Sequence, residues 1–260
     1  MTKKYIFGLT LLLLFYGCEK DHNIENINSD IIITLWENLE NSGRSFELKC
    51  ETEEEYPCCN YSILNDFSIN YKSISINFIK ISKPEVCLTA FGPAKAYLNF
   101  GYLANDTYDL EIKVINRKSY GELTVTDNYY SIDLNYQRKI QLTRYTLNRI
   151  PQNTIWGTVD YFINTSSNLA QSFIDSLQIL GATSKTYNSG EYGYFKINSS
   201  GSIEPPQNHG YYFIKPYIFE YRNNMDSLKT LVSNYGINYG DSLSIILYNE
   251  KGRKFMSWVN

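Results

Sequence analysis

Asp109-Leu110-Glu111-Ile112-Lys113-Val114 sets an apolar side chain at every second position and a charged one between each pair. A period of two gives an extended strand one face for a core and one for water. The same period recurs on both sides of this run. Ile74, Ile76 and Phe78 alternate with Ser73, Ser75 and Asn77, and Leu123 and Val125 with Thr124 and Thr126. Tyr130, Ile132 and Leu134 alternate with Ser131 and Asp133. Turn-forming residues separate the runs at Asn105-Asp106, Asn116-Arg117-Lys118 and Asp127-Asn128. Short strands at this spacing, with no amphipathic helix among them, predict an antiparallel β-sandwich over residues 31–150. Pro84 to Pro93 is predicted as a loop tied down at Cys87. Glu51, Glu53, Glu54 and Glu55 read as a solvated acidic loop, because the alternating Asp/Asn-Gly pattern of a calcium loop is missing.

Pro151 marks a change of register. Ile155 to Ile163 reads as a strand. Ser166-Ser167-Asn168 offers a helix start. Leu169, Ala170, Phe173, Ile174, Leu177 and Leu180 then share one helical face, and Gly181 closes it. Tyr192 to Ile197 and Tyr211 to Tyr221 read as strands around a Gly/Pro/Ser loop at 199–210. A second helix is predicted from Met225 to Tyr235, ended by Gly236. Leu243 to Tyr248 and Lys254 to Val259 form a last hairpin. The order β-α-β-β-α-β with one added strand predicts an α+β unit of the split-βαβ, ferredoxin-like plan over residues 151–260. The first unit resembles the immunoglobulin-like sandwiches of cell surfaces, without the Cys…Trp…Cys spacing of true immunoglobulin domains. The fold class expected is therefore mixed.

The chain has 260 residues, 43% of them hydrophobic and 20% charged, so it is neither disordered nor low-complexity. A formal charge of -3 supplies no basic field for a nucleic-acid backbone. The start of the chain fixes the compartment. Lys3 and Lys4 precede an apolar run from Ile6 to Tyr16, followed by Gly17-Cys18 and the polar Glu19-Lys20-Asp21. That run is too short to span a bilayer as a helix, which takes roughly 20 residues, and it has the size of a signal-peptide core. Phe15-Tyr16-Gly17-Cys18 resembles the lipobox of bacterial lipoproteins, and it departs from the usual pattern at Phe15 and Tyr16. The resemblance implies a signal peptide over residues 1–17 and acylation of Cys18. Two or three acyl chains give stable anchoring where one is marginal.

Glu19-Lys20-Asp21 resembles the charged export signal of Bacteroidota-type surface lipoproteins. It implies the outer membrane, facing outward, with a periplasm-facing orientation as the alternative. Residues 18–30 are then a polar tether. Losing Lys3 and Lys4 takes the formal charge from -3 to -5, so the partner membrane is held by the anchor and not by electrostatics.

In an oxidising envelope the remaining cysteines, Cys50, Cys58, Cys59 and Cys87, are predicted to form structural disulfides. Adjacent Cys58 and Cys59 are expected to take Cys50 and Cys87 separately, in either pairing. Cys/His spacing for a metal site is absent. No motif calls for a cofactor.

No catalytic residue is nominated. Gly240-Asp241-Ser242-Leu243 spells the signature of the GDSL esterases, but no histidine follows to activate the serine. His22 and His209 are the chain's two histidines. A glycosidase needs just two carboxylates, which leaves an envelope hydrolase as an alternative. The richest signal is aromatic: Tyr129-Tyr130, Tyr192, Tyr194, Tyr211-Tyr212 and Tyr217, with Trp36, Trp156 and Trp258. Such residues bind sugars or proteins when exposed together. The function expected is non-catalytic binding of a glycan or protein ligand, with a subunit pairing through sheet edges as a further alternative.

Overall fold

The computed structural model describes residues 24–163, 166–205 and 213–258. The leader, Cys18, His22, His209 and Tyr211-Tyr212 lie outside the described residues. The protein is predominantly β. The first eleven strands are β1 (Ile24–Glu25), β2 (Ile31–Glu40), β3 (Gly43–Tyr56), β4 (Ser62–Asn70), β5 (Ser73–Ser82), β6 (Gly92–Asn99), β7 (Asp106–Val114), β8 (Arg117–Val125), β9 (Tyr129–Leu134), β10 (Ile140–Leu142) and β11 (Thr146–Asn148). They form one curled sheet in the order β10-β2-β3-β6-β4-β5-β7-β8-β9-β11, with β1 added beside β5. The alternating residues read from the sequence line its inside: Ile74, Ile76, Phe78, Leu110, Ile112 and Val114 are all buried.

Pairing is antiparallel except at three places. β5 pairs in parallel with β7, β10 with β2, and β4 meets β6 at the single position Ser62–Lys95. Alternation fixes which face a strand buries; it is blind to which neighbour the strand chooses. The acidic run is not a loop. Glu51 to Glu55 lies on β3, and the register against β6 shifts between Glu51 and Glu55. The polar stretch expected to be a free tether is tied in as well: Ile24 pairs with Ser82, Glu25 with Ile81, and Ile27 is buried.

The rest of the chain builds β12 (Thr154–Tyr161), α1 (Ser167–Ile179), β13 (Gly190–Glu191), β14 (Lys196–Ile197), β15 (Phe213–Glu220), α2 (Met225–Tyr239), β16 (Ser244–Asn249) and β17 (Lys254–Met256). Four of these strands form an antiparallel sheet in the order β15-β12-β16-β17. β15 and β16 run the same way on either side of β12, and α2 connects them. β12 and β15, joined through α1, are direct antiparallel neighbours, and β13 and β14 leave the sheet as a separate hairpin. α1 and α2 cover one face, where Ala170, Phe173, Leu177, Leu228 and Val232 pack on Ile155, Val159 and Leu247.

Gly236 does not end α2, which runs on to Tyr239. A methyl group there would sit 1.9 Å from the Ser257 carbonyl oxygen, so this glycine lets the chain after β17 lie against the helix. Gly181 does end α1, with φ +101 in the left-handed region.

One disulfide joins Cys58 to Cys87 across 29 residues of sequence. Loop closure of that length removes about 3–4 kcal/mol of unfolded-state entropy. The second bridge expected from the cysteine count is not formed: Cys50 and Cys59 carry free thiols. Cys50 faces the core from the middle of β3, fully buried, with its thiol directed at the Leu48 carbonyl. Cys59 instead packs against Gly92. Burial pushes the Cys50 thiol far above its ordinary range, with Glu47 and Glu51 adding to the shift. In the folded protein a thiol reagent should therefore label half-buried Cys59 and spare Cys50 until denaturant is added. Peptide mapping should recover Cys58 linked to Cys87, and a Cys50–Cys59 crosslink would contradict this arrangement.

Candidate functional site

The chain leaves the first sheet for the second beside a buried carboxylate. β2 points Ile31, Ile33, Leu35, Glu37 and Leu39 inward, and Glu37 has no exposed surface. Glu37 Oε1 accepts from the Tyr130 hydroxyl and from Arg149 Nε, each at 3.1 Å. Its Oε2 accepts from the Ile150 amide at 3.4 Å and faces an Arg44 guanidinium nitrogen at 3.5 Å. Arg44 also donates to the Ile150 carbonyl. Burial, then the charge of Glu37, raises the Tyr130 hydroxyl well above its usual range, so it stays a donor. The chain is thereby fixed at Arg149-Ile150, just before it enters β12.

β12 is buried along its whole length. Its Ile155, Val159 and Tyr161 face the helices, while Trp156 turns to the opposite side with Ile218 and Tyr248 beside it on the neighbouring strands. Gly157 makes the sheet this tight. The Tyr217 hydroxyl donates to the Ile246 carbonyl at 2.9 Å, and a methyl group on Gly157 would lie 1.9 Å from that same oxygen.

The β13–β14 hairpin folds over the Trp156 face. Tyr194 and Phe195 lie on its turn. Trp156 is 5.3 Å from Phe195, 5.8 Å from Tyr194 and 5.8 Å from Tyr248, with the last pair stacked at 13°. Tyr192 stacks on Phe195 at 4.8 Å. Trp36 of β2 reaches Tyr194 at 4.8 Å, and the Tyr194 hydroxyl accepts from the Leu39 amide at 3.3 Å. Gly193, at φ +83, leaves room for the Trp36 ring, which a β-carbon there would approach to 3.3 Å. Lys49 Nζ lies 3.1 Å from the centre of that ring on its outer side, and burial lowers the Lys49 pKa.

Between the hairpin and the four-stranded sheet is a cleft of about 340 Å³. Trp156, Tyr194, Phe195 and Tyr248 wall it, and Glu191, Lys196 and Glu204 stand at its rim. The rim groups are held in place. Lys196 pairs with Glu204 at 3.0 Å, Glu191 with Arg144 at 3.4 Å, and the Glu204 amide donates to the Lys196 carbonyl at 2.8 Å. The volume lies at the small end for ligand sites, and the lining joins aromatic rings to charged and polar groups in about equal measure.

Of the aromatic residues singled out from the sequence, Trp36, Trp156, Tyr192 and Tyr194 come together here. Tyr130 serves Glu37, Tyr217 is buried on the helix side, and Trp258 is exposed elsewhere on the chain. Phe195, Tyr248 and the charged rim escaped the sequence reading. Tyr248 could have been found from its strand, since its register partner is Trp156. Ser242 of the esterase-like tetrapeptide sits in the turn after α2, with its amide donating to the Tyr239 carbonyl. Among the described residues no group of three or more His, Cys, Asp or Glu could hold a metal ion. No helix among them is long and apolar enough to cross a membrane. No family model, curated protein or solved structure matches this chain.

Two substitutions test the frame of the cleft. Glu37→Ala leaves Arg44 and Arg149 facing a buried void and should cost about 3–5 kcal/mol in urea unfolding. Gly157→Ala should cost about 1–3 kcal/mol by overpacking. Midpoints unchanged from the parent protein would refute both assignments.

Proposed function

We propose that this chain is a lipid-anchored lipoprotein of the bacterial outer membrane, facing outward, that binds a ligand without catalysis in the aromatic cleft. The lipobox-like Phe15-Tyr16-Gly17-Cys18 supports the anchor. The observation that carries the binding reading is the wall of Trp156, Tyr194, Phe195 and Tyr248 beneath the ion-paired Glu191, Lys196 and Glu204. A saccharide fits that chemistry. Its C–H faces stack on rings, and its hydroxyls accept from an ammonium and donate to carboxylates. We read the curled sheet as a sandwich whose two layers meet at the single Ser62–Lys95 pair, with Phe46 stacked on Tyr130 at 4.8 Å between them. On that reading the anchored layer is a stalk and the cleft belongs to the unit it presents.

A second reading rests on the edge of β4. Beyond Ser62 this strand pairs with β5 alone, and Phe67 and Ile69 are exposed there. A free edge of this kind accepts a strand from another chain.

Titration of the mature protein with a panel of neutral oligosaccharides, followed by tryptophan emission, tests the first reading. A saturable change is expected for at least one, weakened about tenfold or more by Tyr248→Ala and less by Glu204→Gln. Emission unmoved at millimolar saccharide would reject a glycan ligand. Cys18→Ser should abolish incorporation of labelled fatty acid. Sedimentation of the detergent-extracted protein as a monomer would dispose of the strand-pairing alternative.

A further inference from the structure

We propose that the disulfide-closed loop of residues 83–91 dips into the membrane that carries the anchor, placing Val86, Leu88 and Phe91 at the boundary between headgroups and acyl chains. The inference rests on lipid attachment at Cys18. Val86 is 74% exposed, Leu88 56% and Phe91 75%. Three large apolar side chains within six residues form a concentrated projection of the kind that marks contact with a partner or a lipid surface.

The loop is not a slack connection. Cys87 is bonded to Cys58 in its middle. Asn60 clasps it from the turn before β4, its amide donating to the Val86 carbonyl at 2.8 Å and its side-chain oxygen accepting from the Leu88 amide at 3.1 Å. The Ala90 amide donates to the Leu88 carbonyl at 2.7 Å. A backbone held this way keeps its apolar side chains outside, and little order remains to be lost when a surface covers them.

The position of the chain's start selects the occupant. Ile24 pairs with Ser82, the residue just before the loop. Six Cα steps separate Cys18 from Ile24. Whatever path they take, they span at most about 22 Å. An acyl group on Cys18 therefore brings the bilayer to the end of the sheet where the loop projects. The turn at Tyr71, at the other end of β5, is roughly 30 Å away at the usual rise per strand residue.

Charge points to apolar insertion and not to headgroup attraction. Glu25 pairs next to the loop, Glu85 lies within it, and Glu53, Glu54 and Glu55 end the adjoining β3, against Lys83. A neutral phosphatidylcholine surface should therefore serve as well as an anionic one.

The test uses the acylated full chain in phosphatidylcholine vesicles whose acyl chains carry bromine near the headgroup. Phe91→Trp adds a reporter in the loop and Tyr71→Trp one at the far end; both positions are exposed, so both variants keep the fold. After subtraction of the parent emission, the Phe91→Trp signal should fall by half or more, and the Tyr71→Trp signal should hold. Equal quenching of both, or of neither, in protein that floats with the vesicles would overturn the proposal; the second result would leave the loop to a protein partner. Mass analysis of the Cys18 peptide separates the two claims. An acylated peptide with an unquenched loop removes the insertion alone, whereas an unmodified Cys18 in protein that does not float removes the anchor and the insertion with it.

Discussion

A single carboxylate, placed where the pattern of β2 calls for an apolar side chain, fixes the chain where it leaves the first sheet for the second. Glu37 is sealed from water and receives donors from β9, from β3 and from the segment leading into β12. A buried charge is tolerable only when both oxygens are satisfied. Each donor must therefore arrive for the others to be stable. Hydrophobic packing alone would leave the Arg149-Ile150 segment free to shift, because apolar contact has no direction. The carboxylate supplies that direction at the one place where the chain passes from one sheet to the other.

The cleft inherits this dependence. Trp36 comes from the large sheet, Tyr194 from the hairpin and Trp156 from the four-stranded sheet, and the three rings meet in one cluster. Leu39 and Ile150 belong to the same buried group. At the far side Gly252 lets the last turn approach the Leu39 carbonyl, where any side chain would collide. The cleft is thus a product of the seam and not of either sheet alone. Its aromatic wall is rigid, since each ring is pinned by another ring or by a hydrogen bond.

How much of this could be read from residues alone differs by level. Strands at 73–78, 109–114 and 130–134 and helices starting near 167 and 225 follow from local periodicity, which acts within one element. Sheet order does not, because the parallel β5–β7 pair joins strands that are far apart in sequence and equally apolar. Gly236 shows the same limit on a smaller scale. By itself it signals a helix end, but its reason is a carbonyl that arrives from twenty-one residues later. The cysteine count is limited in a like way: parity says that two bridges are possible, and it is blind to Cys50 lying in the core while Cys59 packs against Gly92. Glu37 was visible all along as the one charged residue among Ile31, Ile33, Leu35 and Leu39, and its spacing marks it as inward-facing.

The central position of β12 also sets a timetable. Its partners are β15, beginning at Phe213, and β16, ending at Asn249. Synthesis runs from the amino terminus, so Trp156 and its neighbours emerge long before either flanking strand exists. Until β15 is complete at Glu220, the fully buried central strand of the second sheet has nothing to pair with. Long-range pairing of this kind is slow and leaves sticky surface uncovered meanwhile. Truncated or stalled chains should consequently be the form of this protein that chaperones and proteases encounter most.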